Sequence, residues 1–224
     1  MSKKIILLAL AAASLAAFAL PTAAMAEGTP LHVVPAPSGA KVVDGEGSAF
    51  LTGGFGTITC TSSSGTATFT SSTKGTFEQT FKGCTGPTGT CTTSGQASGT
   101  ITTTVLDFDL VTVLHEHNAA KTGPGVLVTP NTETGVFAHF DCPLFPNTTV
   151  TGNGLVGTIT NVACGASSSE PTIQFSSVST GVQTHTTVVG TEGTSYGLKA
   201  FGGNASEDAS GKITLGSAAK LECT

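Results

Sequence analysis

The chain has 224 residues, of which 10% are charged and 38% are hydrophobic, and it contains 29 glycines and no arginine. Globular proteins carry charges on roughly 25% of their residues, so the composition excludes disorder driven by charge repulsion. The formal net charge of −5 at pH 7 argues against a nucleic-acid partner, which binds basic surfaces.

The N-terminus has the organisation of a cleaved signal peptide. Two lysines precede an apolar stretch over residues 5–20, and residues 24–26 match the small-x-small pattern of a signal-peptidase site. We therefore predict a signal peptide over residues 1–26 and a protein that is secreted or lies on the exterior of the cell envelope. A membrane anchor is the alternative, but the proline and small residues after the apolar stretch favour cleavage. No later stretch is apolar enough to span a bilayer, so the mature chain is expected to lack a membrane span.

The rest of the chain predicts an arm followed by a β-domain. Residues 27–47 are rich in Pro and Gly and predict a loose N-terminal arm with one short strand at 31–34. Over residues 48–224, apolar and polar residues alternate with period two between turn-forming clusters. This pattern predicts a single all-β domain, an antiparallel sandwich or barrel of about 10–13 short strands held by disulfides. Only residues 114–121 would allow a turn of helix.

The predicted strands follow one another at short intervals. The first runs centre on Ile58, Phe69 and Phe77, and the longest extends over residues 99–115. The later strands are predicted at residues 126–129, 136–142, 148–152, 155–164, 172–177, 182–189, 196–201, 213–216 and 219–223.

The cysteines predict disulfides, because an exported protein folds in an oxidising compartment. Their number is even, and they are Cys60, Cys84, Cys91, Cys142, Cys164 and Cys223. Fifteen complete pairings of six cysteines are possible. Cys84 and Cys91 flank a loop of turn residues, so a bridge between them is the simplest hypothesis. Cys142 with Cys164 is the next local pair, which leaves Cys60 with Cys223. A zinc site built of cysteines is disfavoured, because no closely spaced C-x2-C pair occurs.

Several short segments resemble those of a known group of proteins. They are residues 56–60 (GTITC), 81–84 (FKGC), 99–103 (GTITT), 137–142 (FAHFDC) and 157–160 (GTIT). Together they are similar to uncharacterised secreted proteins of actinobacteria, over about residues 48–164. The resemblance implies an exported β-protein and implies no activity.

The best candidate metal site is the sequence His115-Glu116-His117. Side chains two residues apart on a strand project to the same face, so both imidazoles could bind one Zn or Cu ion. The candidates for a third ligand are His139, Asp141 and His185. The competing interpretation is a solvated loop tip at the end of a strand.

Serine-hydrolase motifs are incomplete. Residues 193–197 match the G-x-S-x-G elbow, but no histidine follows Ser195 and the flanking sequence predicts no helix. The order His115, Asp141, Ser195 is that of chymotrypsin-like proteases, although the usual residues around each position are absent.

Two classes of function remain. The favoured one is an exported, non-catalytic β-protein whose partner is a cell-envelope component, another protein or an apolar small molecule held inside a barrel. The alternative is a metal-dependent enzyme using His115 and His117. A sugar-binding cleft is disfavoured, because the chain has no Trp and a single Tyr.

Overall fold

A computed structural model describes residues 31–34, 41–44, 48–115, 118–132, 134–162, 167–191, 193–216 and 219–223. The predicted signal peptide lies outside the described residues. In this part of the chain the structure is all-β, with 21 strands and no helix. The predicted fold class is confirmed. The number of strands exceeds the prediction, because seven of them have only two or three residues.

The N-terminal half of the chain contains ten strands. They are β1 (Leu31–Val34), β2 (Lys41–Asp44), β3 (Ala49–Gly53), β4 (Gly56–Cys60), β5 (Ser62–Phe69), β6 (Lys74–Lys82), β7 (Thr85–Gly86), β8 (Gly89–Thr90), β9 (Ile101–Thr102) and β10 (Leu106–His115).

The C-terminal half contains eleven. They are β11 (Asn118–Pro130), β12 (Val136–Cys142), β13 (Phe145–Gly152), β14 (Leu155–Thr160), β15 (Ser167–Ser168), β16 (Thr172–Phe175), β17 (Ser177–Ser179), β18 (Val182–Gln183), β19 (Leu198–Ala200), β20 (Gly203–Leu215) and β21 (Lys220–Cys223).

The largest sheet is antiparallel and strongly curled. Its strands follow the order β16, β14, β11, β10, β6, β5, β2, β20, β3, β4, β7 and β8. β16 also pairs with β20, which links the first strand of this order to the eighth in a continuous hydrogen-bonded circuit. Sheets of eight strands that curl in this way enclose an interior that side chains fill or that holds one small ligand.

The remaining strands lie beside this sheet. β1, β21 and β15 form a three-stranded sheet, and β17 and β18 form a short hairpin. β12 and β13 join the large sheet through β19. The strand expected at Leu31–Val34 is confirmed, and the predicted arm also contains β2, which pairs with β5 and β20.

The predicted alternation is clearest in β10, where Leu106 and Phe108 are buried. The turn of helix considered at residues 114–121 is wrong for the residues described there, since β10 reaches His115 and β11 begins at Asn118. The main strand that the sequence did not indicate is the first part of β20, residues 203–212, where no strand was predicted.

The three predicted disulfide pairings are wrong. Cys84 bonds to Cys60, and Cys91 bonds to Cys142. Cys223 is also disulfide-bonded, and Cys164 lies outside the described residues. The bonded cysteines confirm the inference that the chain forms disulfides, as proteins do in an oxidising environment.

The physical reason for the observed pairing is strand register. Thr59 of β4 lies opposite Thr85 of β7 in an antiparallel pair. The residue after Thr59 and the residue before Thr85, Cys60 and Cys84, therefore lie side by side. In the same way an isolated bridge between Thr92 and Asp141 places Cys91 beside Cys142. The backbone N–H of Cys91 donates to the Cys84 carbonyl, so these two cysteines are neighbours, but each bonds to a more distant strand.

Candidate functional site

The curled sheet surrounds an apolar cavity of about 210 Å³. Alternate residues of its strands face this space, and most of them are aliphatic or phenylalanine. Among the lining residues are Phe69, Phe108, Val126, Leu155, Ile173 and Phe175. The same residues belong to, or pack against, the main hydrophobic core, so the cavity is an unfilled part of the core.

One side of the cavity is built from phenylalanine rings, and we call it the phenylalanine wall. Phe108 stands edge-on to Phe69, with ring centroids 4.9 Å apart, and lies 6.3 Å from Phe77. Edge-to-face packing of this kind is favourable beyond the burial of area alone. The Phe108 ring also covers Gly75 of β6, where an added Cβ would lie 2.6 Å from the ring.

A further phenylalanine packs over a glycine in the same way on β14 and β16, and we include it in the phenylalanine wall. The ring of Phe175 lies across Gly157 of β14, and an added Cβ there would lie 2.6 and 2.8 Å from two ring atoms. Gly157 therefore provides the space for the ring. This packing explains part of the high glycine content, because a side chain at either glycine would displace a phenylalanine.

The part of the lining formed by β20 and the start of β3 carries small residues, and we call it the small-residue wall. It adjoins the phenylalanine wall at one edge, where Ala209 pairs in register with Phe175 of β16. Ala209 lies directly opposite Ala49 in the strand register, and Gly211 follows on the same face of β20. All three residues line the cavity. Because none of them reaches far into the interior, this wall accounts for space that the phenylalanine wall does not fill.

Glu207 belongs to the small-residue wall and places a carboxyl group against the cavity. It occupies an inward position of β20, two residues before Ala209 and opposite Leu51 of β3. Burial raises the pKa of the Glu207 carboxyl from its ordinary value near 4.5 to about 7, and the charge of Asp208 contributes to the same shift. The described residues offer this carboxylate no hydrogen bond or ion pair; the two ion pairs they contain are Lys74–Asp109 and Lys212–Glu170.

The backbone around Glu207 is held from outside by the β17–β18 hairpin. The Glu207 N–H donates to Oε1 of the buried Gln183 at 2.6 Å. Asp208 points the opposite way and accepts both the N–H and the hydroxyl of Ser177, each at 2.6 Å. The Gly181 N–H donates to the hydroxyl of Ser206, which is fully buried. These bonds fix the direction in which the Glu207 side chain points.

Glu207 is not among the candidate functional residues predicted from the sequence. The signal was present as period-two alternation, with Ala205, Glu207, Ala209, Gly211 and Ile213 on one face. Because three of these residues are Ala or Gly, the face is not distinctly apolar, and the segment resembles a polar loop. An acidic residue within an alternating run of small residues was the available clue.

The metal site predicted at His115 and His117 is not tested, because the side chain of His115 and all of His117 lie outside the described residues. His139, proposed as a third ligand, is exposed, and its Nδ1 lies 3.0 Å from Oγ1 of Thr149. Asp141 accepts the N–H of Asn147, and His185 is buried. Among the described residues no three His, Cys, Asp or Glu side chains are grouped as a metal site.

The serine motif has none of the surroundings of a nucleophile elbow. Ser195 is exposed, and its carbonyl accepts a hydrogen bond from Nδ2 of Asn153. Asn153 Oδ1 in turn accepts the N–H of Gly197, just before strand β19. The segment is thus a loop that leads into a strand, where the elbow requires a helix.

A second apolar feature lies on the surface, and we call it the surface cluster. It consists of Phe55, Leu144, Phe145 and Phe201. Phe55 is 63% exposed and Leu144 is 69% exposed. The ring of Phe145 lies 5.7 Å from that of Phe55 and 5.6 Å from that of Phe201. This cluster is open to solvent and carries no ionisable side chain.

No family model, curated protein or solved structure matches the chain. The resemblance to secreted actinobacterial proteins therefore stays a prediction. Within the described ranges, no helix has the length and apolarity needed to cross a membrane.

Proposed function

We propose that this is an exported, non-catalytic protein that binds an apolar small molecule inside its curled sheet. The observation that supports this function most strongly is the cavity of about 210 Å³ with its apolar lining. Protein interiors are normally packed as densely as organic crystals, so an unfilled apolar space of this size is uncommon. An engineered apolar cavity of about 150 Å³ is already large enough to bind benzene.

The disulfides are consistent with an exported carrier. Cys60–Cys84 closes a segment of 24 residues, and Cys91–Cys142 closes one of 51 residues. Both lie in the same core that surrounds the cavity. Cross-links of this kind stabilise the native state against the cost of leaving part of the core unfilled.

Binding is tested with 1-ethylnaphthalene, a neutral aromatic hydrocarbon. The chain has no Trp and one Tyr, so the fluorescence of an added naphthalene is read with little protein background. We expect saturable binding of one molecule per chain to the purified, disulfide-bonded protein. The variant Ala209→Phe fills the cavity from the small-residue wall and is expected to lower the affinity at least tenfold.

Two further variants distinguish the cavity from the rest of the molecule. Ala97→Phe makes the same substitution at an exposed position and is expected to bind like the wild type. Phe55→Ser with Leu144→Ser removes the most exposed part of the surface cluster and should also leave binding unchanged. If Ala209→Phe does not fold, Ala67→Leu fills the cavity from β5 instead. Absence of saturable binding, or equal binding by a folded cavity-filling variant, would contradict the proposed function.

A further inference from the structure

Glu207 is the only ionisable side chain among the described residues that line the cavity. The rest of the lining is apolar apart from a few hydroxyl and amide side chains. A binding site of this composition orients its ligand through a small number of polar groups. Glu207 is therefore the group expected to determine which polar atom a ligand carries and where that atom lies.

In the part of the chain that the structure describes, the Glu207 carboxylate has no hydrogen bond or ion pair that compensates its charge. Taking an ionised carboxylate away from water is strongly unfavourable unless a cation or several hydrogen-bond donors accompany it. The described residues provide neither to Glu207, although its backbone is held firmly by Gln183. Such a carboxylate is neutralised either by a proton or by a cation that the ligand carries.

No other charged group described near residues 205–209 serves as the cation that would pair with Glu207. Strands β3, β16, β17 and β18 carry no ionisable residue. β2 carries Lys41 and Asp44, whose side chains lie outside the described residues, but it pairs with β20 only at residues 213–215, six or more positions from Glu207. On β19, Lys199 is exposed and pairs in register with Asn204, on the face of β20 opposite to Glu207. His185 follows β18 and does not line the cavity. Asp208 is negative, faces outward and is bonded to Ser177, so its charge adds to the need for a cation.

We propose that the occupant of the cavity is an apolar amine, whose ammonium group pairs with the Glu207 carboxylate while its hydrocarbon part contacts the phenylalanine wall. This inference rests on the proposed function, since it names the class of ligand that the cavity binds. The charge is complementary, and the small residues on either side of Glu207 leave room for a group next to the carboxylate. Ion pairs that are removed from water in this way depend strongly on both partners being present.

The pairing makes binding depend on pH. An alkylammonium group has a pKa near that of lysine, about 10, so the ligand stays charged from pH 5.5 to pH 8. The Glu207 carboxyl, with its pKa of about 7, is ionised in the free protein at pH 8 and protonated at pH 5.5. A proton on Glu207 competes with the ammonium group. The affinity for the amine should therefore fall as the pH falls through 7, by about tenfold or more.

The test compares two ligands of nearly the same shape, 1-naphthylmethylamine and 1-ethylnaphthalene. With the wild-type protein at pH 8, we expect the amine to bind at least tenfold more tightly than the hydrocarbon. At pH 5.5 this preference should be largely lost, while binding of the hydrocarbon is unchanged or stronger. In Glu207→Gln the preference should be absent at both pH values.

A matched control separates the cavity carboxyl from surface charge. Glu78 is exposed on β6 and is not a lining residue, so Glu78→Gln removes the same charge without touching the cavity. It should retain the amine preference and its pH dependence. If the hydrocarbon binds as tightly as the amine at pH 8, or if Glu207→Gln keeps the preference, the inference is overturned while the proposed function stands. If neither ligand binds, both are overturned.

Discussion

The phenylalanine wall and the small-residue wall of the cavity are packed differently. On the phenylalanine wall, the rings of Phe108 and Phe175 lie across Gly75 and Gly157 and fill the space between neighbouring strands. On the small-residue wall, alanine and glycine leave space, and Glu207 adds a carboxyl group. The cavity therefore results from the small residues on one side of the sheet. The phenylalanine wall determines the shape of the cavity, and the small-residue wall provides the unfilled space and an ionisable carboxyl group.

The small-residue wall also has covalent support nearby. β3 pairs with β4, and the last residue of β4, Cys60, is bonded to Cys84 just after β6. This disulfide closes 24 residues, for which the chain-entropy relation gives about 3.5 kcal/mol of stabilisation. We expect the double variant Cys60→Ala with Cys84→Ala to lose about 3 kcal/mol in free energy of unfolding, measured by denaturant titration. An unchanged midpoint would show that the wall does not depend on this cross-link.

The phenylalanine wall is tested by adding one methyl group. Gly157→Ala places a Cβ within 2.6 Å of the Phe175 ring, so the ring must move. Overpacking of this kind destabilises by about 1–3 kcal/mol, and we expect a loss of about 2 kcal/mol. Gly203→Ala, on β20, is the matched control, because nothing lies within 4 Å of the added atom. Equal stability of the two variants would mean that the ring does not need the glycine.

The charge of Glu207, on the small-residue wall, has a smaller effect on the free energy of unfolding, and this effect depends on pH. Between pH 4.5 and pH 7 the folded protein keeps a proton on Glu207 that the unfolded chain has released. Stability should therefore fall as the pH rises through this window and level off above it. We expect Glu207→Gln to be more stable than the wild type by about 1–2 kcal/mol at pH 8, less than the whole pKa shift implies because Glu207 is half-buried and solvent screens part of its charge.

The measurement is thermal or denaturant unfolding of both proteins at a series of pH values from 4.5 to 8. Comparing the two proteins cancels the contribution of the other carboxylates. The difference between them should be close to zero at pH 4.5 and grow towards pH 7. A difference that stays constant across this range would contradict the assignment of the carboxyl to the cavity.

Much of the fold follows from local sequence pattern. The alternation of Leu106, Phe108 and Leu110 predicts the face of β10 that packs in the core, and the structure buries Leu106 and Phe108. The all-β class and the presence of disulfides are predicted in the same way. These properties depend on neighbouring residues, which a sequence displays directly.

The disulfide partners and the cavity depend on contacts between distant segments. Cys60 meets Cys84 only because β4 pairs with β7, and Cys91 meets Cys142 only because residues 92 and 141 form a bridge. Glu207 faces the interior only because residues 203–212 form a strand, and this strand pairs with both β3 and β16. Register between strands so far apart is set by the folded sheet, and small residues give little local signal of it.

The most direct test of the binding site is the position of bound 1-ethylnaphthalene, measured by intermolecular nuclear Overhauser effects. A ligand in the cavity should give contacts from its ring protons to the Phe108 ring on β10 and to the Ala209 methyl group on β20, two strands that lie four places apart in the circuit of eight. Contacts confined to Phe55 and Leu144 would place the ligand on the surface cluster and contradict the proposed site.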